Sequence, residues 1–508
     1  IYPIMDRVQE ILIHKVHDYE GIVNKMIGDG IMALFGAPIA LEDAPQRAIR
    51  SAFSIHQEIS KFSDSLKKQQ KLLPPLQMRI SIHTGPVVVG SIGNNLRVEF
   101  TAVGDTVNLA SRMEGLAEPG TTCVSEQTYK LTEGLFHYEA IGERKVKGRK
   151  GGIKVYRPII PSTSRSQFEV SSELGLTPFI GRERELELLL DAFERAKSGR
   201  GQVFSIISEA GVGKSRLIYE FRKAVAHEDL DFWEGRCLSY SRGVVYHPVI
   251  DILKDHFDIL EEDRELEIKE KIISGFELLN QDETTSIPFI LELLSVKDSD
   301  LCESELSPEA RKDHLLSALR QIILLNSAIR PLVIVYENLH WIDKSSEEHL
   351  KDLVDRISGA RVLHILTYRP EFFHTWAGRS YHNHLNLNRL SNRETLVMVS
   401  HLLGTEDIDE QINQLIIEKT EGIPFFVEQV VSSLRDQKII KKEGNKFFLA
   451  RDIKNITIPS TIQDVIMARV DLLPEEAKDL LQRSSVAGRE FGHRLLQKIT
   501  DFSEDKLL

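Results

Sequence analysis

Residues 100–114 read FTAVGDTVNLASRME, and this stretch decides how the first part of the chain folds. Strand-forming residues run into Gly104-Asp105, which predicts a turn, and a helix follows. Asn108 and Arg112 are four apart, so a helix places them on one face. An amide and a rigid guanidinium just after a glycine turn can grip a phosphate chain. The same spacing also suits an ordinary exposed helix face.

The surrounding chain sets bounds. Its 508 residues suffice for about three domains. Hydrophobic content of 42% and charged content of 28% are those of a globular protein. A net charge of -12 argues against nonspecific nucleic-acid binding. Cys123, Cys237 and Cys302 have no metal-like spacing, and an odd count builds no disulfide framework. A reducing, cytoplasmic compartment fits. No apolar run is long enough to span a bilayer, and no signal-peptide pattern is visible. The sequence starts at Ile1 rather than Met, and Leu508 interrupts a helical pattern, so a piece of a longer chain is expected.

Before the opening stretch, residues 5–16 carry Val8, Ile11, Leu12 and Val16 at helical spacing. Residues 22–35, IVNKMIGDGIMALF, predict a β-hairpin with Asp29 at its tip. A carboxylate in a glycine-rich tip can hold Mg²⁺, or it can be a plain turn residue. Residues 45–62 predict another amphipathic helix. Residues 78–92 predict a second hairpin, turning at Thr84-Gly85-Pro86, with His83 as a candidate base or a packed rim residue. A strand near 121–124 and a basic segment, 144–150, follow. Mixed strands and helices with antiparallel hairpins imply an α+β domain with a ferredoxin-like sheet and helices.

These residues together resemble the catalytic domain of class III nucleotidyl cyclases over nearly all of 1–157. The resemblance rests on Lys25 with Gly28-Asp29, on His83-Thr84-Gly85, on Val103–Asn108 read as VGDTVN, and on Ala110-Ser111-Arg112-Met113-Glu114. It implies that Asp29 is one of two metal-binding aspartates and that Lys25 reads the purine. It implies that Asn108 orients the ribose, Arg112 stabilises charge on the reacting phosphate, and Lys147 meets the terminal phosphates. Thr101 stands at the second purine-reading position, as in the branch containing the bicarbonate-responsive soluble adenylyl cyclases. The Lys25/Thr101 pair favours ATP over GTP. The implied reaction is attack of the ribose 3′ oxygen on the α-phosphorus with loss of diphosphate, assisted by two Mg²⁺ or Mn²⁺ ions. The first metal aspartate of the family sits in a Phe-x-Asp segment that would precede Ile1, while Phe62-Ser63-Asp64 has the letters in the wrong place. These residues by themselves are therefore expected to make a poor cyclase. Metal and phosphate groups come from two different domains in this family, and one domain here carries both sets, so a homodimer is expected.

Residues 158–178 are rich in Pro, Ser and Thr and read as a linker. The α/β P-loop domain is expected over 179–380. A buried-strand run at 202–208 leads into Glu209-Ala210-Gly211-Val212-Gly213-Lys214-Ser215 and a helix, the context of a phosphate-binding loop. Backbone N–H groups around Gly211 and Gly213 would cradle phosphates, Lys214 would neutralise them and Ser215 would hold Mg²⁺. A second buried run, 332–336, precedes Glu337-Asn338, which resembles the acidic motif of signal-transducing P-loop ATPases related to the AAA class. Glu337 takes the metal-side position there, while Asn338 replaces a second acid and cannot act as a base. Arg369, after a third run at 362–367, is a candidate sensor of nucleotide.

The remainder, 381–508, reads as a mainly helical lid and winged-helix-like region. Helices are expected at 390–403, 411–420, 424–434, 462–472 and 475–487, and a hairpin at 438–449. Residues 422–428, GIPFFVE, resemble the lid helix of the same ATPases. The expected function is an adenylate cyclase of intracellular signalling, with ATP both as substrate and as ligand of a regulatory P-loop module. The competing reading is a nucleotide-sensing scaffold whose cyclase domain is inactive.

Overall fold

The computed structural model describes residues 2–37, 39–69, 74–94, 97–146, 151–161, 176–238, 244–260, 263–278, 286–296, 306–374, 376, 378–444 and 446–450, with 470, 478, 480 and 481. The chain forms two compact units, the second spanning Thr177–Asn455. Among the described residues no helix is long and apolar enough to cross a membrane.

In the first unit, α1 (Tyr2–Asp18) packs Val8, Ile11, Leu12 and Val16 against Ile55 and Ile59 of α2 (Ala44–Gln69). Between them, β1 (Ile22–Ile27) and β2 (Gly30–Leu34) form the expected antiparallel hairpin around Gly28-Asp29. A four-stranded sheet has the order β3 (Arg79–Ile82), β6 (Thr121–Ser125), β8 (Gly152–Pro161), β7 (Phe136–Lys145). A separate pair joins β4 (Val88–Asn94) to β5 (Arg97–Val103), and Gly104 connects β5 to α3 (Asp105–Met113). A short α4 (Glu126–Thr132) follows β6.

Two expectations for this unit need correction. Residues 78–92 are not a hairpin: β3 pairs in parallel with β6, and β4 pairs with β5. The Thr84-Gly85-Pro86 segment gives its polar groups to helices instead. The His83 ring bonds Ser125 Oγ, Thr84 bonds Thr128, and the Pro86 carbonyl accepts from the Thr106 hydroxyl at 2.7 Å. The linker does not begin at 158, because β8 continues to Pro161. Pro158 pairs with Tyr138 beside a bulge at His137/Tyr138, a position where a missing N–H is tolerated.

The second unit is built on a parallel sheet in the order β10 (Asp231–Arg236), β11 (Leu332–Glu337), β12 (Val362–Tyr368), β9 (Gln202–Ile207), β13 (His382–Asn386). β13 lies past residue 380, so the sheet reaches into the region expected to be helical. Its sequence, HNHLN, carries little strand signal, and it sits at an edge against β9 alone. Alternate strand residues feed two cores. Phe204, Ile206, Val333, Val335, Leu363 and Ile365 meet α5 (Glu183–Lys197) and α6 (Lys214–Ala224). Val203, Trp233, Ile334, Tyr336 and Leu366 meet the other face, where α7 (His247–His256), α8 (Glu265–Leu278), α9 (Ile287–Leu293), α10 (Pro308–Ile329) and α11 (Lys344–Arg356) contribute. After the sheet come α12 (Asn392–Leu403), α13 (Glu410–Thr420), α14 (Pro424–Asp436) and a hairpin of β14 (Ile440–Glu443) and β15 (Lys446–Leu449). The helices expected at 462–472 and 475–487 fall almost wholly outside the described residues.

His349 on α11 and His364 on β12 are buried, and neither His364 nitrogen nor His349 Nδ1 has a hydrogen-bond partner. Burial pushes their imidazoles down, to about 4 for His349 and about 3 for His364. An unfolded histidine takes its proton near 6.5, so below that pH the unfolded state binds more protons than the folded one. The stability these neutral rings allow is complete above about 6.5 and is lost as pH falls toward 4. The chain's three tryptophans, Trp233, Trp341 and Trp376, all lie in this unit and report on it alone. The urea midpoint followed by tryptophan emission is expected to fall between about pH 7 and about pH 5, with a shallower fall in His364→Leu. Equal midpoints at the two pH values would refute this account.

Candidate functional site

In the first unit, α3 buries Leu109 and Met113 and exposes Asn108 and Arg112. Among the described residues neither exposed side chain has a hydrogen-bond or ion-pair partner. The helix is held by its surroundings. Thr106 Oγ1 donates to the Pro86 carbonyl, Ser81 Oγ donates to the Ala110 carbonyl at 2.7 Å, and the Cys123 thiol donates to the Met113 carbonyl. A Cβ on Gly85 would stand 2.7 Å from Thr106 Oγ1, so only glycine lets this crossover approach the first turn of α3. His83-Thr84-Gly85 is thus a support for α3 and α4, which answers the question of His83 in favour of a packed residue.

Lys25 and Asp29 sit on the β1–β2 hairpin, both exposed. Gly28, at φ 62°, takes the first central position of the two-residue turn and leaves Asp29 at the tip. β1 also approaches β5, where Thr101 pairs with Gly90. The structure therefore places Lys25 and Asp29 on the hairpin and Asn108 and Arg112 on α3. Lys147 lies outside the described residues. No group of three or more His, Cys, Asp or Glu suited to a metal occurs among the described residues, so Asp29 offers one carboxylate and not a complete metal site.

The second unit brings nearly all of its expected residues together. Gly211 (φ 77°) and Gly213 (φ 113°) have left-handed backbones, which shapes the loop before α6. Lys214 is buried and donates to the carbonyls of Ser208 at 2.8 Å and Glu209 at 3.0 Å. Ser215 Oγ donates to Glu337 Oε2 at 2.6 Å, although β12 lies between the loop's strand and the acid's strand. A hydroxyl and a carboxylate side by side form an all-oxygen donor set suited to Mg²⁺ or Mn²⁺. Burial and the neighbouring Glu234 push the Glu337 carboxyl up. Glu234 is pushed up by burial too, but Arg236, the hydrogen bond with Glu337 and Arg222 together hold it below the usual range. Arg369 follows the C-terminal end of β12, the central strand, which lies between the strands leading to the loop and to Glu337.

Asn338 has φ 60° and ψ 44°, a left-handed conformation that Asn enters readily, and its N–H donates to Thr367 Oγ1. Sequence reading missed three participants, Glu234, Arg236 and Arg389. Arg389 binds Glu209 of the loop at 2.9 Å and also pairs with Glu421 before α14. The helix α14 reaches the loop directly, with Phe425 N–H donating to the Gly211 carbonyl at 3.2 Å. Glu428 on that helix accepts from the Thr177 hydroxyl.

Residues 5–157 match the family described as the adenylate and guanylate cyclase catalytic domain, residues 178–365 the AAA ATPase domain, and residues 391–446 a domain of unknown function. The chain thus joins a class III nucleotide cyclase domain to an AAA P-loop domain and a helical C-terminal region. An uncharacterized protein of Rhizobium meliloti (strain 1021) is 23% identical over 499 residues, which is 97% of this chain and 47% of that protein. Adenylate cyclase 1 of the same organism is 32% identical over 143 residues, 28% of this chain and 21% of that protein. Among solved structures, an adenylyl cyclase from P. aeruginosa is 24% identical, covering 32% of this chain and 85% of that one with a TM-score of 0.31. This chain spans less than half the length of these two curated relatives.

A Cβ on Gly211 would meet Phe425 Cβ at 3.0 Å and Ile423 Cγ2 at 3.1 Å on an already left-handed backbone. Gly211→Ala is therefore expected to weaken Mg²⁺-nucleotide binding to the loop by about tenfold or more, from roughly 1–3 kcal/mol of backbone strain. Calorimetric titration checks this, and an unchanged affinity would mean that the loop backbone is not the cradle.

Proposed function

We propose that the first unit is an adenylate cyclase that forms 3′,5′-cyclic AMP and diphosphate from ATP as a homodimer, and that the P-loop unit binds ATP as a regulatory ligand. The observation that carries the reading is the exposed, unpartnered Asn108 and Arg112 on one face of α3, in a chain that also presents Asp29 at a glycine turn. Such groups contribute little to folding, so their arrangement fits a ligand better than a structural role. The 32% identity to a protein named adenylate cyclase supports the choice of nucleotide, as does the Lys25/Thr101 pair.

In the reaction the ribose 3′ oxygen loses its proton and bonds to the α-phosphorus, and the bond from that phosphorus to the diphosphate oxygen breaks. Lys25 and Thr101 read the adenine edge, Asn108 fixes the ribose, and Lys147 meets the terminal phosphates. Arg112 places positive charge where negative charge develops on the transferring phosphate. Divalent cations, when bound, supply activation of the attacking oxygen and charge neutralisation, with Asp29 as one ligand. Exposed Met26, Ile27, Val88 and Val103 lie on the same strands as Lys25 and Thr101 or their pairing partner, and they suit a contact with a second copy. Cytoplasmic placement is part of the proposal.

The test is an assay of the full-length protein with ATP and with GTP, in Mg²⁺ and in Mn²⁺. Cyclic AMP formation well above cyclic GTP formation is expected, and the reverse would overturn the nucleotide assignment. Arg112→Ala should lower turnover by about 100-fold or more. Mixing Arg112→Ala with Asp29→Ala should restore about a quarter of wild-type activity, because half the sites of each mixed dimer are intact. Absence of restoration would speak against shared sites. Lys214→Ala should alter how cyclase activity depends on ATP concentration, and an unaltered dependence would remove the regulatory role.

A further inference from the structure

Glu234 and Arg236 lie two apart on β10 and therefore project from one face of the sheet. Arg236 donates to Glu234 Oε1 from Nη2 at 2.7 Å and from Nε at 3.1 Å. The same Nε stands farther, 3.7 Å, from Glu337 Oε1. Arg222 of α6 stands 3.8 Å from the other oxygen of Glu234. Glu337 Oε2 accepts the Ser215 hydroxyl. The three central side chains are well sheltered, at 17% exposure for Glu234, 14% for Arg236 and 7% for Glu337.

A guanidinium in so dry a place binds whichever carboxylate is nearer, and a two-point Arg pair takes up the lone pairs a cation would need. Glu234 supplies the nearer carboxylate. We propose that Glu234 is a positioning residue of the P-loop metal site, holding Arg236 off Glu337 so that Glu337 stays turned toward a divalent cation beside Ser215. The cation is the one that accompanies a nucleoside triphosphate, so the inference rests on the P-loop reading above. Glu234 acts through Arg236 and also lies within hydrogen-bond reach of Glu337 itself. In Glu234→Gln the guanidinium loses its charged partner and closes on Glu337 Oε1, competing with the cation.

The experiment follows energy transfer from the second unit's tryptophans to a methylanthraniloyl ATP analogue in the whole chain, with Lys214→Ala defining the background. Nucleotide affinity is measured in EDTA and across a Mg²⁺ titration. Glu234→Gln is expected to raise the Mg²⁺ midpoint about tenfold and to leave the EDTA affinity within about twofold, as for loss of an outer-shell partner. Glu234→Gln combined with Arg236→Met should bring the midpoint back toward wild type, because the competitor is gone. A normal midpoint in the single variant overturns the proposal. So does an equal loss with and without Mg²⁺, which marks a merely structural role, or a double variant as impaired as the single one. Absence of Lys214-dependent binding in the wild-type chain overturns the P-loop reading itself.

Discussion

Burial of Leu109 and Met113 fixes where Asn108 and Arg112 point, and the chemistry of the first unit depends on that choice of face. The two pairs have the same four-residue spacing, one register apart, so burying one pair exposes the other. Burying a leucine or methionine side chain contributes roughly 1.5–3 kcal/mol, while an exposed amide or guanidinium contributes little. The core therefore selects the face, and the polar pair follows. The bonds from Ser81, Cys123 and the Pro86 carbonyl then pin the helix to the sheet and crossover, which turns a face preference into a fixed position.

The second unit uses sheet order in the same way. Because β12 sits between β9 and β11, the loop after β9 and the acid ending β11 are two strand spacings apart, about 10 Å. Ser215 closes that gap to Glu337, which brings the loop across the end of β12 near Arg369. Phe425 and Arg389 add contacts from the C-terminal helical region to the same loop. A change in loop shape at Gly211 is thereby felt at the start of α14, since a single backbone hydrogen bond joins them.

Elements defined by local pattern were legible in the sequence. The Gly28-Asp29 hairpin, the turn into α3, and the strand–loop–helix around Lys214 each follow from turn residues and periodicity within a short window. What was not legible depends on partners distant in the chain. Residues 78–92 contain two good strands, but their turn has stronger partners in α3 and α4 than in a hairpin. β13 is polar and becomes a strand only because β9 offers a free edge. Glu234 and Arg236 carry no motif, and their relevance appears only when β10 lies beside β11.

Asn338 shows both local and distant influences at one position. Read along the sequence, an amide beside Glu337 is a missing acid. In space, its left-handed backbone explains an Asn there, and a second carboxylate next to Glu337 comes from the neighbouring strand. Charge around the site must then be counted across strands. Glu234 is faced by Arg236 and Arg222, and Glu337 by Arg236 at a longer distance, two carboxyl groups against two guanidinium groups. A bare polyphosphate would add uncompensated negative charge near two buried carboxylates, and a bare cation would meet two fixed positive groups. On the P-loop reading proposed above, a divalent cation arriving with a triphosphate would halve the negative charge brought near these carboxylates.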